Sequence, residues 1–375
     1  MSFDMTTLGE YIDIQGGYAY KSKDFVEFSN NPVLKIKNIR SGYIDYNDAS
    51  YISDELAGET IDWIAQKGDI LIAMTGSGPN APNSLVGRVA MVWENKKSWV
   101  NQRVGKIRIK QPQKIDANFV FYILSQKQAQ DFLVANSTGS ANQANINASA
   151  IKSIPCPVIT YVESKKIADF IIKLDKKITL NNQINETLEA MAQALFKSWF
   201  IDFEPVKAKI EAKDAGQDAE GILLAAMSAI SGKEIKALKV LQTTAPEEYA
   251  ELKAIAEQFP DSLEESELGM IPKGWEVSTL GAQYQITMGQ SPKGDTYNEN
   301  NEGTLFFQGR AEFGWRYPTP RLFTTAPKRI AKAGNVLMSV RAPVGDFNIA
   351  LNDCCIGRGL AALQHKSGSP TFTFY

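Results

Sequence analysis

The sequence predicts an α+β chain: two homologous mixed α/β domains separated by a long coiled-coil helix region. Three observations predict it. Short motifs recur in the same order in both halves, a heptad pattern runs between them, and an acid-rich stretch follows the heptads.

The repeat comes first. Thr7-Leu8-Gly9 reappears as Thr279-Leu280-Gly281, and at the same spacing Ile14 matches Ile286, Gly17 matches Gly289 and Lys21 matches Lys293. Further on, Lys67-Gly68-Asp69-Ile70-Leu71-Ile72 resembles Ala333-Gly334-Asn335-Val336-Leu337-Met338, and Ser84-Leu85-Val86-Gly87 echoes Ala342-Pro343-Val344-Gly345. The offset shrinks along the chain, as loop deletions between divergent copies would produce. Four ordered matches exceed coincidence.

Within the first copy, residues 33–39 alternate apolar and polar, the pattern of a half-buried strand. Residues 70–74 and 86–93 are continuous apolar runs bounded by glycine and read as interior strands. Residues 119–136 have helical spacing, and Pro155 and Pro157 end the unit. Then, over residues 162–203, Ile167, Leu174, Asn181, Leu188 and Leu195 recur every seven residues. Phe170, Ile184 and Met191 fill partner positions, helped by Ile171 and Ile178. That is a coiled-coil seam, with Asn181 as a polar residue that sets register. At about 1.5 Å per residue the rod is roughly 60 Å long. Beyond it, residues 221–230, 233–241 and 246–259 read as helices of a solvated spacer, and 260–272 as an irregular charged run. The expected domains are 1–158, 159–204 (the helix), 205–272 (the acidic connector) and 273–375.

Composition narrows the function. Hydrophobic content of 44% and charged content of 22% are those of an ordinary globular chain. No apolar run reaches membrane-spanning length and the start is neither basic nor apolar, so no signal peptide or membrane association is expected. Three cysteines (Cys156, Cys354, Cys355) form no CxxC pair and suit a reducing cytoplasm. One histidine, His365, argues against His-rich metal sites and a Ser–His triad. The net charge of −2 divides unevenly: residues 201–270 hold 7 Lys and Arg against 15 Asp and Glu, residues 278–375 hold 10 against 6, and residues 1–155 hold 16 against 15. The two copies are therefore near neutral or basic, which permits DNA binding.

Catalytic signatures are missing. Ser231-Gly232-Lys233 lacks the rest of a phosphate-binding loop, and Thr75-Gly76-Ser77-Gly78 is a lone glycine-rich turn. Asn31-Pro32-Val33 is not the Asn-Pro-Pro-aromatic motif of an amino-methyltransferase, and no acidic pair precedes a Glu-x-Lys. No catalytic residue and no metal ligand is assigned.

The helix carries a distinctive string: Ile167-Ala168-Asp169-Phe170, Leu174-Asp175-Lys176-Lys177-Ile178, Asn181-Asn182-Gln183-Ile184-Asn185, and Leu195-Phe196-Lys197-Ser198-Trp199-Phe200-Ile201-Asp202-Phe203. It resembles the central region of type I restriction–modification specificity subunits. Glu267-Leu268-Gly269-Met270-Ile271-Pro272-Lys273-Gly274-Trp275-Glu276-Val277 is similar to the opening of that family's second recognition domain, and Gly357-Arg358-Gly359-Leu360 fits the same domain. The resemblance covers nearly the whole chain. It implies two target-recognition domains that each read one half of a split, asymmetric site on double-stranded DNA, held apart by long antiparallel helices. It implies partner methyltransferase subunits and restriction–translocation subunits, which would bind S-adenosylmethionine, ATP and Mg²⁺; no cofactor is expected on this chain. One departure is a length difference: 97 residues follow Arg103 to the end of the helix at Phe200, whereas 17 follow Arg358. The expectation is a C-terminally truncated chain whose second recognition domain is incomplete and whose second spacer helix is missing, with a second half-length specificity chain as a further partner.

Arg suits guanine, Asn and Gln suit adenine, and phosphate contacts only position. In the first copy the candidate DNA contacts are Lys35, Lys37, Asn38 and Arg40 after a strand, Thr75 and Ser77 in the 75–83 loop, Asn101 and Arg103 in the polar run Asn101-Gln102-Arg103, and Asn142, Gln143 and Asn145 in the 137–147 loop. In the second copy they are Gln308 and Arg310, matched to Lys37 and Ile39, and Arg341, matched to the Thr75 loop. Trp315 and Tyr317 beside Arg316 read as a basic–aromatic patch or as core. Phe196, Trp199, Phe200 and Phe203 form the candidate partner surface, with core packing against the first recognition domain as the rival. The competing function is a stand-alone DNA-binding or regulatory module that pairs with another specificity chain.

Overall fold

The computed structural model describes residues 4–77, 86–140 and 143–375. Contacts divide the chain into two units, Met1–Gln183 and Ile184–Tyr375.

In the first unit, strands β1 (Met5–Thr7), β2 (Ile12–Gly16), β3 (Phe25–Val26), β4 (Pro32–Leu34) and β5 (Ser50–Ile52) lead to helix α1 (Asp54–Glu59). Strands β6 (Ile64–Ala65), β7 (Ile70–Ala73), β8 (Thr75–Gly76), β9 (Val89–Met91), β10 (Ser98–Val100) and β11 (Val104–Ile109) follow. Next come α2 (Ala117–Ser125), α3 (Lys127–Ala135), β12 (Thr138–Ser140), β13 (Gln143–Asn145), α4 (Ala148–Lys152) and β14 (Pro155–Pro157). An antiparallel sheet of order β2-β11-β7-β9 lies beside a mixed one of order β3-β5-β4-β10-β6, in which β4 and β10 alone run parallel. Strand β1 pairs with β14, so Pro155 and Pro157 close the unit against its beginning.

The apolar run at 70–73 is continuous because both of its faces are covered. Ile70 and Ile72 face a core with Phe119, Val120, Leu124 and Leu133 of the helices, while Leu71 and Ala73 face a second core with Leu34, Val100 and Val104. Two expectations need correction. The alternation at 33–39 is not one strand: β4 ends at Leu34, and Asn38 Oδ1 accepts from the Lys35 backbone N–H (2.9 Å) to wind residues 36–38 into a 3₁₀ turn. The helical stretch at 119–136 is two helices, because Gln126 between them is extended (φ −69°, ψ 145°).

Helix α5 runs over Tyr161–Phe200. It starts in a capping box, with Glu163 N–H donating to Thr160 Oγ1 (3.3 Å) and Thr160 N–H to Glu163 Oε2 (3.0 Å). Its first half is tied down by Ala168, buried in the helix-side core, and by Tyr122, whose hydroxyl donates to Asp175 Oδ2 (2.6 Å). The heptad seam points elsewhere. Ile167, Phe170, Leu174, Ile178, Ile184, Leu188, Met191 and Leu195 are between 37% and 64% exposed.

The second unit opens with four helices, α6 (Glu204–Asp214), α7 (Ala219–Ser231), α8 (Ile235–Thr244) and α9 (Pro246–Glu257). Val206, Leu224, Met227, Ile230, Leu238 and Phe259 are buried among them, so the acidic connector is a packed bundle rather than a solvated spacer. Residues 263–272, expected to be irregular, form a hairpin of β15 (Leu263–Ser266) and β16 (Gly269–Pro272). The aromatic residues at the end of α5 also need correction. Trp199 meets Phe259 edge-on (6.1 Å), Phe200 stacks on Trp275 (6.1 Å), Phe203 meets Trp275 edge-on (5.7 Å), and Phe196 lies 6.0 Å from Phe372. These four side chains pack the helix onto its own unit instead of forming an outward partner surface.

The rest comprises α10 (Leu280–Gln283), β17 (Tyr284–Met288), β18 (Tyr297–Asn298), β19 (Thr304–Phe307), β20 (Leu322–Thr324), β21 (Ile330–Ala331), β22 (Val336–Ser339), β23 (Phe347–Ile349), β24 (Cys354–Ile356), β25 (Leu360–His365) and α11 (Pro370–Phe374). Its sheets have the orders β17-β25-β22-β23 and β18-β20-β19-β24-β21, with β19 and β24 the parallel pair. In these two sheets the nine strands repeat the order of the first unit's four- and five-stranded sheets, so the motif repeat is a fold repeat, while the β1-β14 pair and the β12-β13-β8 sheet belong to the first unit among the described residues.

All three cysteines are buried and unpaired. Burial pushes the Cys156 and Cys354 thiols up to about 12. At pH 8 such a thiol is thiolate in about one molecule in 10⁴. Iodoacetamide is therefore expected to leave these two unlabelled in the folded chain and to label them in denaturant; mass spectrometry showing rapid labelling of the native protein would contradict the burial.

Candidate nucleic-acid interface

The duplicated topology fixes which loops correspond. Leu34 pairs in parallel with Val100 as Phe307 pairs with Ile356. Gln308 therefore corresponds to Lys35, two residues before the match read from sequence. The match of Arg341 to Thr75 agrees with the register: Met74 N–H donates to Arg103 O and Val340 N–H to Gly359 O, each at 2.9 Å, and the two residues come next.

In the second unit, Gln308, Arg310 and Arg341 come together on one cleft of about 380 Å³, joined by Ser291, Arg321 and Arg358. Four guanidinium groups thus line one depression. They are not equivalent. Arg310 pairs with Asp346, and Arg321 pairs with Glu299 (3.6 Å) and Glu312 (2.6 Å), whose hydrogen bond raises the Arg321 pKa further above its ordinary value. Glu312 is buried, and its Oε2 has no hydrogen-bond partner among the described residues. Arg341 and Arg358 are exposed and make no ion pair among the described residues, so their charge is available to an anion or a base edge. Arg316 lies outside this cleft. It pairs with Glu189 and donates to the Tyr375 hydroxyl (2.6 Å), which ties the sheet domain to the second half of α5.

In the first unit, Thr75 and Asn145 meet across a small antiparallel sheet of order β12-β13-β8, where the Thr75 hydroxyl donates to Asn145 Oδ1 (3.0 Å). Gln143 is exposed on the same sheet, Ser77 is buried, and Asn142 lies outside the described residues. Lys35 holds its ammonium 3.7 Å from the Phe25 ring centroid, and burial, aided by Lys37, depresses its pKa. Lys37 pairs with Asp48 (3.4 Å) and Arg40 with Asp45 (3.2 Å). Asn38 is a correction: at 1% exposure, with Oδ1 and Nδ2 both bonded to backbone, its amide is closed to a base edge. Asn101 and Arg103 flank Gln102 on an exposed turn after β10. In the sequence Gln102 stands out only within the polar run Asn101-Gln102-Arg103, and Arg358 only as part of a motif. Only the strand register shows that these two occupy one position.

The model of the type I restriction modification DNA specificity domain matches residues 2–190. The chain belongs to that family. Among curated relatives it is 40% identical over 180 residues to the HindI type I restriction enzyme specificity subunit of Haemophilus influenzae, covering 46% of this chain and 39% of that protein. It is 29% identical over 363 residues to the MjaX specificity subunit of Methanocaldococcus jannaschii, itself a provisional assignment, covering 95% and 71%. Among solved structures, the HsdS subunit from Thermoanaerobacter tengcongensis is 22% identical, with coverage of 99% and 77% and a TM-score of 0.32. The type I S subunit from M. genitalium is 16% identical, with coverage of 97% and 73% and a TM-score of 0.44. The specificity-subunit family accounts for what the sequence lacked: its members are DNA-recognition proteins without catalysis of their own. Among the described residues no cluster of three or more His, Cys, Asp or Glu could hold a metal, and no helix is long and apolar enough to cross a membrane.

Proposed function

We propose that each unit reads one half of a bipartite, asymmetric DNA site, and that the chain supplies sequence specificity to methyltransferase and restriction–translocation subunits. Those subunits would carry S-adenosylmethionine, ATP and Mg²⁺, and the complex would act in the cytoplasm. One observation carries this reading. The same nine-strand scaffold occurs twice, and at matched loop positions the two copies bear different polar residues: Lys35 and Thr75 in one, Gln308 and Arg341 in the other. Shared geometry with unlike readers suits a site whose halves differ.

The exposed seam of α5 supports a companion point. Eight apolar side chains along one helix favour a helical partner with the same heptad pattern, and a second specificity chain is the partner proposed.

The test is selection of bound duplexes from a randomised DNA library by the full chain, followed by sequencing. The expected result is a split motif of two unlike halves, with affinity that falls steeply as salt rises. Binding without sequence preference would overturn the reading.

A further inference from the structure

We infer that one turn position is a specificity-determining base reader in both units: Gln102, reading adenine in one half-site, and Arg358, reading guanine in the other. The inference rests on the DNA-reading function proposed above and adds the identity of the readers and of their bases.

The two side chains occupy the same place. In each unit the strand that runs parallel to its neighbour (β10 or β24) ends in a four-residue turn closed by the same backbone hydrogen bond, Val104 N–H to Asn101 O (2.8 Å) and Leu360 N–H to Gly357 O (3.0 Å). Gln102 and Arg358 are the second residue of that turn. The turn is held rigidly. Asn101 N–H donates to Leu34 O (3.0 Å) and Gly357 N–H to Phe307 O (2.8 Å), and a glycine packs against the turn's first carbonyl, Gly17 in one unit and Gly289 in the other. The reader's own backbone N–H is also held, by Tyr18 O at 2.9 Å for Gln102 and by Ser291 Oγ at 3.2 Å for Arg358. Backbone fixed and side chain exposed is the arrangement a base reader needs.

Chemistry assigns the bases. Gln offers a donor and an acceptor matched to adenine N7 and the N6 amine, and Arg offers two donors matched to guanine O6 and N7. Neither side chain is engaged elsewhere among the described residues, whereas Arg310 and Arg321 beside Arg358 are held by carboxylates. The third turn position separates the units further. Arg103 adds a cation beside Gln102, suited to a phosphate, while Gly359 leaves Arg358 as the one cation of its turn.

The experiment is the same library selection, run with the full-length chain and with Arg358→Gln and Gln102→Arg. Arg358→Gln is expected to replace a guanine by adenine at one position of one half-site, leaving the other half intact, with a preference change of about ten- to hundredfold. Gln102→Arg is expected to make the reciprocal change in the other half-site, so the inference does not depend on one variant folding. Unchanged motifs from both variants, or a uniform loss of affinity for all sequences, would overturn it and leave the DNA-reading function standing. A parent chain that enriches no motif would remove both.

Discussion

Replacing Gly289 by alanine is expected to destabilise the second unit by about 3–4 kcal/mol, and Gly17→Ala the first by a similar amount. The reason is proximity to backbone. A Cβ on Gly289 would lie 2.1 Å from Gly357 O and 2.7 Å from Leu360 O; on Gly17 it would lie 2.2 Å from Asn101 O and 2.4 Å from Val100 O. A flexible side chain could swing aside, but these carbonyls belong to the turn and strand that build the scaffold. The methyl must push the strand pair apart, stretching Gly289 N–H to Leu360 O (2.9 Å) or Gly17 N–H to Val104 O (3.0 Å). Calorimetry should show a melting point lower by about 10 °C, and hydrogen exchange should place the loss in the mutated unit. A change under about 0.5 kcal/mol for either alanine, the range of an ordinary surface substitution, would show that the two loops can separate at little cost.

The second large effect concerns association. Leu174→Asp with Leu188→Asp puts two carboxylates on the exposed seam of α5. The chain's own melting point should hold, because both leucines are about half exposed. Pairing with a matching helix should weaken about a thousandfold or more, since each buried leucine contributes roughly 1.5–3 kcal/mol and each carboxylate resists desolvation. Sedimentation of parent and variant over a concentration series reads this directly. A parent that remains monomeric at micromolar concentration, or a variant that associates as the parent does, would remove the pairing.

These residues also mark how far a sequence can be read. Gly17 and Gly289 stood out as one of several matched positions, yet their reason is a contact between segments more than 60 residues apart in chain order. Heptad spacing located α5 to within a few residues, because a helix pattern is local and repeats every turn. The aromatic run at its end was ambiguous, since Phe200 and Trp275 are far apart in sequence and only packing brings them together. Asn38 looked like a reader because Asn suits adenine, but its amide closes a local turn. Conversely, Gln102 lay within a polar run and Arg358 within a motif, but nothing in the sequence shows that the two occupy one turn position.

By itself, then, the sequence determined the duplication, the long helix, the absence of catalytic motifs and the family, since each is written in local order and spacing. The tertiary structure alone decided which loop faces which, that Arg341 and Arg358 make no ion pair among the described residues while Arg310 and Arg321 are held by carboxylates, and that the acidic connector has a core. The physical reason is that strand register and ion pairing are long-range choices. They depend on which partners the folded chain brings within a few ångströms, and no neighbouring residue in the sequence records that.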